Sequence, residues 1–262
     1  MTRADISTHL NRRDIVMGLT SIVVLGLSAP AAIAQDARAI LQSAFDNWRA
    51  NSSHAVVNMT VQRSSDTRSM TMESWTLGDD KALVRFTEPA RDAGNATLQL
   101  GTSTYVFNPK LNQVIKLPAS AMSQSWMGSD FSYNDLSRSQ QVVDDYNHKI
   151  LGTKSSAGKT VYVIEAVPKK GVPIVWGKQV ISVRSDGILL EVEYFDQLGK
   201  RVRIMTADKI QTLSGRPYPT VMTMRTDAKP GQFTRVTTTS AQFDIEIPSY
   251  VFTKSNLQNP RN

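Results

Sequence analysis

The chain has no cysteine and only three histidines, His9, His54 and His148. The first absence excludes a disulfide scaffold, a thiol nucleophile and zinc or iron–sulfur sites built on thiolates. The second leaves little material for an imidazole-based metal site or triad. No nucleophile elbow, glycine-rich phosphate loop or zinc motif is present. Acidic residues are in the minority, 23 Asp and Glu against 30 Lys and Arg, a formal net charge of +7 over 262 residues. The basic excess is scattered: Lys169-Lys170 and Lys200-Arg201-Arg203 are small local groups, and no basic stripe is interleaved with aromatics. No nucleic-acid partner is expected from such a pattern. A positive surface favours approach to anionic lipid head groups, although the same charge also fits an ordinary soluble surface. At 40% hydrophobic residues the chain is too apolar for disorder and too polar for a polytopic membrane protein.

Carboxylate chemistry is equally thin. Neighbouring Asp144 and Asp145 point to opposite sides of an extended backbone and make a poor chelate. Asp130 and Asp135, set among Ser and Asn, suit turn capping better than cation binding. No metal, no cofactor and no catalytic residue is therefore expected, and function is sought in shape and apolar surface.

Residues 1–34 read as an address. A polar start carrying Arg3, Arg12 and Arg13 precedes the apolar run Ile15–Leu27, and Ala32-Ile33-Ala34 offers small residues for signal-peptide cleavage before Gln35. The run is short for a bilayer span. Arg12-Arg13 directly before it resembles a twin-arginine export signal, and an ordinary basic n-region is the alternative. Residues 35–262 then form a single exported domain of 228 residues with an excess charge of +6, since the leader holds three Arg and two Asp. That length buries a sizeable core.

Within it, Asp36–Ala50 reads as an amphipathic helix with Ile40, Leu41, Ala44, Phe45 and Trp48 on one face and Asp36 as N-cap. The period then changes from 3.6 to 2. Strand patterns fall at 54–62, 68–77, 81–87, 96–100, 103–108, 112–117, 146–152, 159–168, 176–185, 188–196, 200–211, 218–226 and 232–241. Asp186-Gly187 and Leu198-Gly199 look like hairpin turns between them. Turns at such regular spacing predict an antiparallel sheet, sandwich or barrel. The exception is Pro118–Gln141, with Met122, Trp126, Met127, Phe131 and Tyr133 among serines. An insert of this length is functional or disordered, and its aromatics argue against disorder. It is either a lid over an open sheet face or a plug in the core.

Six methionines of the exported domain, Met59, Met70, Met72, Met205, Met222 and Met224, lie in strand segments, where methionine is not favoured. Met70/Met72 and Met222/Met224 each place two flexible thioethers on one face, which suits a surface that adapts to variable apolar ligands or fills gaps in a core.

The stretches Phe86-Thr87-Glu88-Pro89-Ala90-Arg91-Asp92-Ala93-Gly94, Tyr105-Val106-Phe107-Asn108-Pro109-Lys110 and Ser125-Trp126-Met127-Gly128-Ser129-Asp130-Phe131-Ser132-Tyr133-Asn134-Asp135-Leu136 resemble the outer-membrane lipoprotein-sorting proteins, relatives of the LolA-type periplasmic carrier. The resemblance runs from the first helix to Ile247-Pro248 and Phe252-Thr253. It implies a mainly β, α+β fold: a strongly curved, incompletely closed antiparallel barrel with an N-terminal helix and a helical or loop lid. It also implies a periplasmic carrier that holds acyl chains of a lipid or lipoprotein in its concave face, touches membranes transiently, and passes cargo to partners such as a transporter of the resistance-nodulation-division type or an outer-membrane acceptor. The sequence departs from the narrow carrier subgroup around the arginine that couples lid and barrel there; Arg85 is the strand candidate, in a different motif. The expected lipid-facing set is Val57, Met59, Val61, Met70, Met72, Val84, Phe86, Leu98, Leu100, Tyr105, Phe107, Met222 and Met224, with Trp126, Met127 and Phe131 as cover. The competing reading is a non-transporting interaction module, or an accessory subunit of such a transporter, with its concave face filled by its own side chains.

Overall fold

The computed structural model describes residues 36–137, 140–172 and 175–261; the expected signal peptide, 1–34, lies outside the described residues. Helix α1 (Ala37–Arg49) begins where the sequence places it. The Asp36 carboxylate accepts from the Arg38 backbone N–H at 2.9 Å, and Ile40, Leu41, Ala44 and Phe45 are buried along one side.

Six strands follow: β1 (Ser52–Gln62), β2 (Thr67–Leu77), β3 (Lys81–Glu88), β4 (Ala96–Leu100), β5 (Ser103–Asn108) and β6 (Gln113–Lys116). The insert carries two short helices, α2 (Tyr133–Ser137) and α3 (Gln141–Asp144). The second strand run is β7 (Tyr146–Ser156), β8 (Lys159–Pro168), β9 (Lys178–Arg184), β10 (Ile188–Phe195), β11 (Arg201–Leu213), β12 (Arg216–Thr226) and β13 (Phe233–Phe243), and α4 (Lys254–Gln258) ends the fold.

All thirteen strands form one sheet in the order β6-β5-β4-β3-β2-β1-β13-β12-β11-β10-β9-β8-β7. Two antiparallel meanders are thus joined where the first strand pairs with the last, Met59 opposite Val236. The edges β6 and β7 do not pair with each other among the described residues, so the curved sheet stays open. Bulges at Val56/Val57, Thr71/Met72 and Ala207/Lys209 add local bend and twist. This is the mainly β, LolA-like incomplete barrel that the resemblance implies.

Each face of the sheet has its own cover. On the inner face, α1 packs over the second meander in a cluster with Ile164, Ile181, Val192 and Met224. The β9–β10 turn reaches up to the helix: Gly187 has φ +76°, and a Cβ there would lie 3.1 Å from the Ser43 carbonyl oxygen. On the outer face, the C-terminal segment lays Phe252 and Leu257 against Leu83, Ala96, Leu98 and Phe107. Arg85 points to this side, where its Nη2 donates to the Asn256 and Leu257 carbonyls at 2.7 and 3.2 Å. It anchors the tail of the chain and does not meet the insert.

Candidate functional site

Between the sheet's inner face, α1 and the insert lies a cavity of about 260 Å³. Its floor is set by strand register. Val57 pairs with Met72, Ala55 with Ser74, Ser74 with Val84, and Val84 with Thr97, so these side chains share the inner face. Met222, Met205, Val192 and Ile181 continue the wall around the second meander, and Phe45 and Trp48 of α1 overhang it. The wall mixes aliphatic and aromatic side chains, with methionine at several points, a lining that tolerates ligands of varied shape. Tyrosines join Ser, Thr, Asn and Gln side chains as its uncharged polar groups: burial pushes Tyr146 and Tyr218 up to about 12, and raises Tyr194 too, so all three stay neutral phenols near neutral pH.

The insert closes the cavity. Trp126, 2% exposed, packs on Phe86 with ring centroids 5.2 Å apart and donates its indole N–H to Thr97 Oγ1 at 3.1 Å. Met127, Tyr133 and Leu136 pack on the inner-face cluster of Met59, Val61, Met70 and Phe86, whereas Phe131 packs on the α1 cluster. One segment therefore spans both meanders.

Three arginines hold that segment down. Arg63 Nη1 meets Asp130 Oδ2 at 2.9 Å and its Nη2 donates to the Gly128 carbonyl at 2.8 Å. Arg68 Nη2 donates to the Met127 carbonyl at 2.9 Å. From the other meander, Arg203 pairs with Asp135 at 2.5 Å and donates to the Asp130 carbonyl at 2.9 Å. Its guanidinium lies between the rings of Trp176 and Tyr194, 4.2 and 4.4 Å from their centroids. Thr234 and Thr226 complete the shell of the buried Asp130 carboxylate at 2.7 and 3.3 Å. A buried charge persists when paired and hydrogen-bonded in this way. Gly128 suits its position because φ is +69°; a Cβ there would also come within 2.8 Å of the Arg68 guanidinium, whose flexible end would have to shift.

Six of the expected contact residues border the cavity: Val57, Met72, Val84, Trp126, Phe131 and Met222. Met59, Val61, Met70 and Phe86 share the inner face but are covered by the insert, Met127 lies in that cover, and Met224 is fully buried in the α1 cluster. Leu98, Leu100, Tyr105 and Phe107 need correction. They belong to the outer-face cluster beneath the C-terminal segment, and from β4 the inner face receives Thr97 and Gln99 instead. A one-residue choice of face inverts a whole strand. β4 is covered on both sides, so its apolar row identifies one buried side but not the cavity side.

Sequence reasoning missed the arginines that hold the insert, because all three bond backbone carbonyls, which any residue supplies. It also read Asp130 and Asp135 as turn caps. Asp135 does accept from the Ser132 N–H at 2.7 Å, but both carboxylates mainly serve as anchor points for arginine. His54, at 2.9 Å from Glu73 and stacked on Trp75, and His148, bonded to the Val142 carbonyl, take part in local packing outside the cavity. No group of three or more His, Asp or Glu side chains among the described residues is arranged to hold a metal ion.

An open, strongly curved antiparallel sheet with a covered concave face is the LolA-like incomplete-barrel fold. A family model carrying the description "Uncharacterized protein" matches residues 78–259, well over half of the chain, and the chain belongs to that family. No curated protein matches it. Among solved structures, it is similar to a DUF1329 family protein from Desulfovibrio piger at 22% identity and TM-score 0.77, covering 84% of this chain and 97% of that one. A domain from Vibrio parahaemolyticus assigned to outer-membrane lipoprotein sorting aligns at 24% identity and TM-score 0.74, covering 85% and 98%. A LolA superfamily protein from Nitrosomonas europaea aligns at 22% identity and TM-score 0.71, covering 85% and 99%. Similarity at this level of identity establishes the fold.

Proposed function

We propose that the protein is a periplasmic carrier, exported by its N-terminal signal, that takes acyl chains of a lipid or lipoprotein into the cavity beneath the insert and passes them between envelope partners. One observation carries the reading: the concave face encloses an apolar cavity of about 260 Å³ instead of being filled by its own side chains. That space supports the carrier reading over a module whose concave face is filled by its own side chains. The cover is a segment distinct from the sheet, held by the packing of Trp126 on Phe86 and by discrete contacts to three arginines, and lifting it requires those contacts to break together.

Burial supplies the driving force. Each methylene removed from water contributes about 0.8 kcal/mol, so a palmitoyl chain grosses roughly 12 kcal/mol before association and ordering costs on the order of 4–15 kcal/mol. The balance gives binding that holds and still releases. The name of the Vibrio relative points to the same class of cargo. An inner-membrane transporter of the resistance-nodulation-division type and an outer-membrane acceptor are the proposed partners. Native mass spectrometry of protein purified from an envelope extract, with added palmitate as control, tests the carrier reading. A retained or added acyl ligand in one-to-one complex is expected, and reproducible failure to bind any acyl ligand defeats it.

A further inference from the structure

The cavity is not apolar from end to end. Successive rows across the inner face of the first meander run from Val57 and Met72, through Ala55, Ser74, Val84 and Thr97, to Ser53, Thr76, Ala82 and Gln99. The side chains become polar toward the β2–β3 turn, away from Arg63 and Arg68. Ser53 and Thr76 satisfy each other at 2.7 Å. Gln99 does not find such a partner. It is 7% exposed; its amide nitrogen is turned to the Gly101 carbonyl at 3.4 Å, and its Oε1 meets no donor among the described residues. Arg49, from the last turn of α1, borders the same cavity. Its Nη2 donates to the Gly78 and Lys81 carbonyls at 3.0 and 3.1 Å, which fixes it beside the start of β3, where Ala82 pairs with Gln99. Its Nε is buried without an acceptor. Burial lowers the Arg49 pKa against the opposing pull of Asp79 and Asp80, so the cation is under-compensated where it sits.

A buried donor and a buried acceptor left without partners at the same end of the cavity are costly in a folded chain unless a ligand or an ordered water meets them. We infer that Arg49 and Gln99 form a head-group pole, and that the ligand is an acyl lipid whose head bears an anionic oxygen with a neighbouring hydroxyl. The anionic oxygen accepts from Arg49 Nε, the hydroxyl donates to Gln99 Oε1, and the tail runs along Val57 and Met72 beneath Trp126. This assignment rests on the carrier reading and narrows it to one chemistry of head and one orientation. Apolar burial supplies affinity, and the pole supplies selection among lipids with equal tails.

Three palmitoyl probes separate the elements: 1-palmitoylglycerol 3-phosphate, with anion and hydroxyl; 1-palmitoylglycerol, with hydroxyls alone; and methyl palmitate, with neither. Purified protein is expected to bind the phosphate about tenfold more tightly than the glycerol ester, and methyl palmitate more weakly than both. Arg49→Gln erases the preference for phosphate. Gln99→Leu, which keeps Arg49 and its carbonyl contacts in place, weakens both hydroxyl-bearing probes severalfold and leaves methyl palmitate unchanged. Equal binding of all three probes by the native protein, or unchanged affinity of Gln99→Leu for both hydroxyl-bearing probes, overturns the head-group pole while leaving the carrier reading standing. Binding of none of them overturns both. Glycerol 3-phosphate, which has the same head and no tail, is expected to show no saturable binding in this range; affinity equal to that of the lipid overturns the assignment.

Discussion

Arg203 on β11 and Asp135 in the insert meet at 2.5 Å with both side chains more than nine-tenths buried. This pair ties the insert to the second meander, while Arg63 and Arg68 tie it to the first. The cavity lies between those attachments, so in the carrier reading the Arg203–Asp135 pair is the contact that breaks when one side of the cover lifts.

Replacing Arg203 with Met leaves Asp135 buried opposite an apolar chain and withdraws the donor to the Asp130 carbonyl. Breaking a buried pair from one side costs about 3–5 kcal/mol. The loss falls mainly on the insert, because β11 keeps its ladder to β10 and β12. Hydrogen exchange followed by mass spectrometry is expected to show faster exchange across 125–136 with the β1–β2 amides unchanged, and faster release of a bound fluorescent fatty acid. Unchanged exchange in 125–136 rules out the clasp.

The two faces of the first meander make a second test. Met72 borders the cavity, whereas Leu98 is buried on the outer face against Phe252 and Leu257. Met72→Asp places a charge in the ligand space at a side chain only 4% exposed, and is expected to reduce fatty-acid uptake at least tenfold and to lower Tm without opening 245–261 to protease. Leu98→Asp buries an unpaired carboxylate under the C-terminal segment and is expected to lower Tm sharply, with proteolysis starting at 245–261. Undiminished uptake by Met72→Asp removes it from the contact set, and loss of uptake in a fully stable Leu98→Asp reverses the face assignment.

That pair of residues also marks how far the sequence could be read. The helix at 37–49 and the thirteen strands were legible because periodicity and turn chemistry are local properties, and each segment states its own. Met72 was legible as inward because Met70 and Met72 alternate with the polar Ser69, Thr71 and Glu73. Leu98 was misplaced because β4 carries the C-terminal segment on its outer side, a contact between residues more than 150 positions apart that no local pattern announces. The arginine contacts to the Met127 and Gly128 carbonyls were illegible for another reason: a backbone acceptor has no residue type. Gln99 was passed over because a polar side chain in a strand ordinarily faces solvent, and here it faces an enclosed space.

A last prediction concerns alkali. Burial raises the pKa of Tyr146 and Tyr218 to about 12 and that of Tyr194 as well, whereas an unfolded tyrosine ionises near 10. The folded state therefore holds these phenols neutral after the unfolded chain has begun to lose its protons. Their contribution to stability is complete below pH 10 and is lost as pH rises from there through 12, on the order of 1 kcal/mol per group per pH unit. Absorbance at 295 nm should show these tyrosines ionising together with loss of the near-ultraviolet circular dichroism, late and cooperatively. Tyr218→Phe removes one of the groups, together with its hydrogen bonds to Thr238 and Trp48. Its stability at pH 7 falls, but the further loss between pH 10 and 12 becomes shallower than in the native protein. An equally steep alkaline loss in Tyr218→Phe excludes that phenol as a source of the pH dependence.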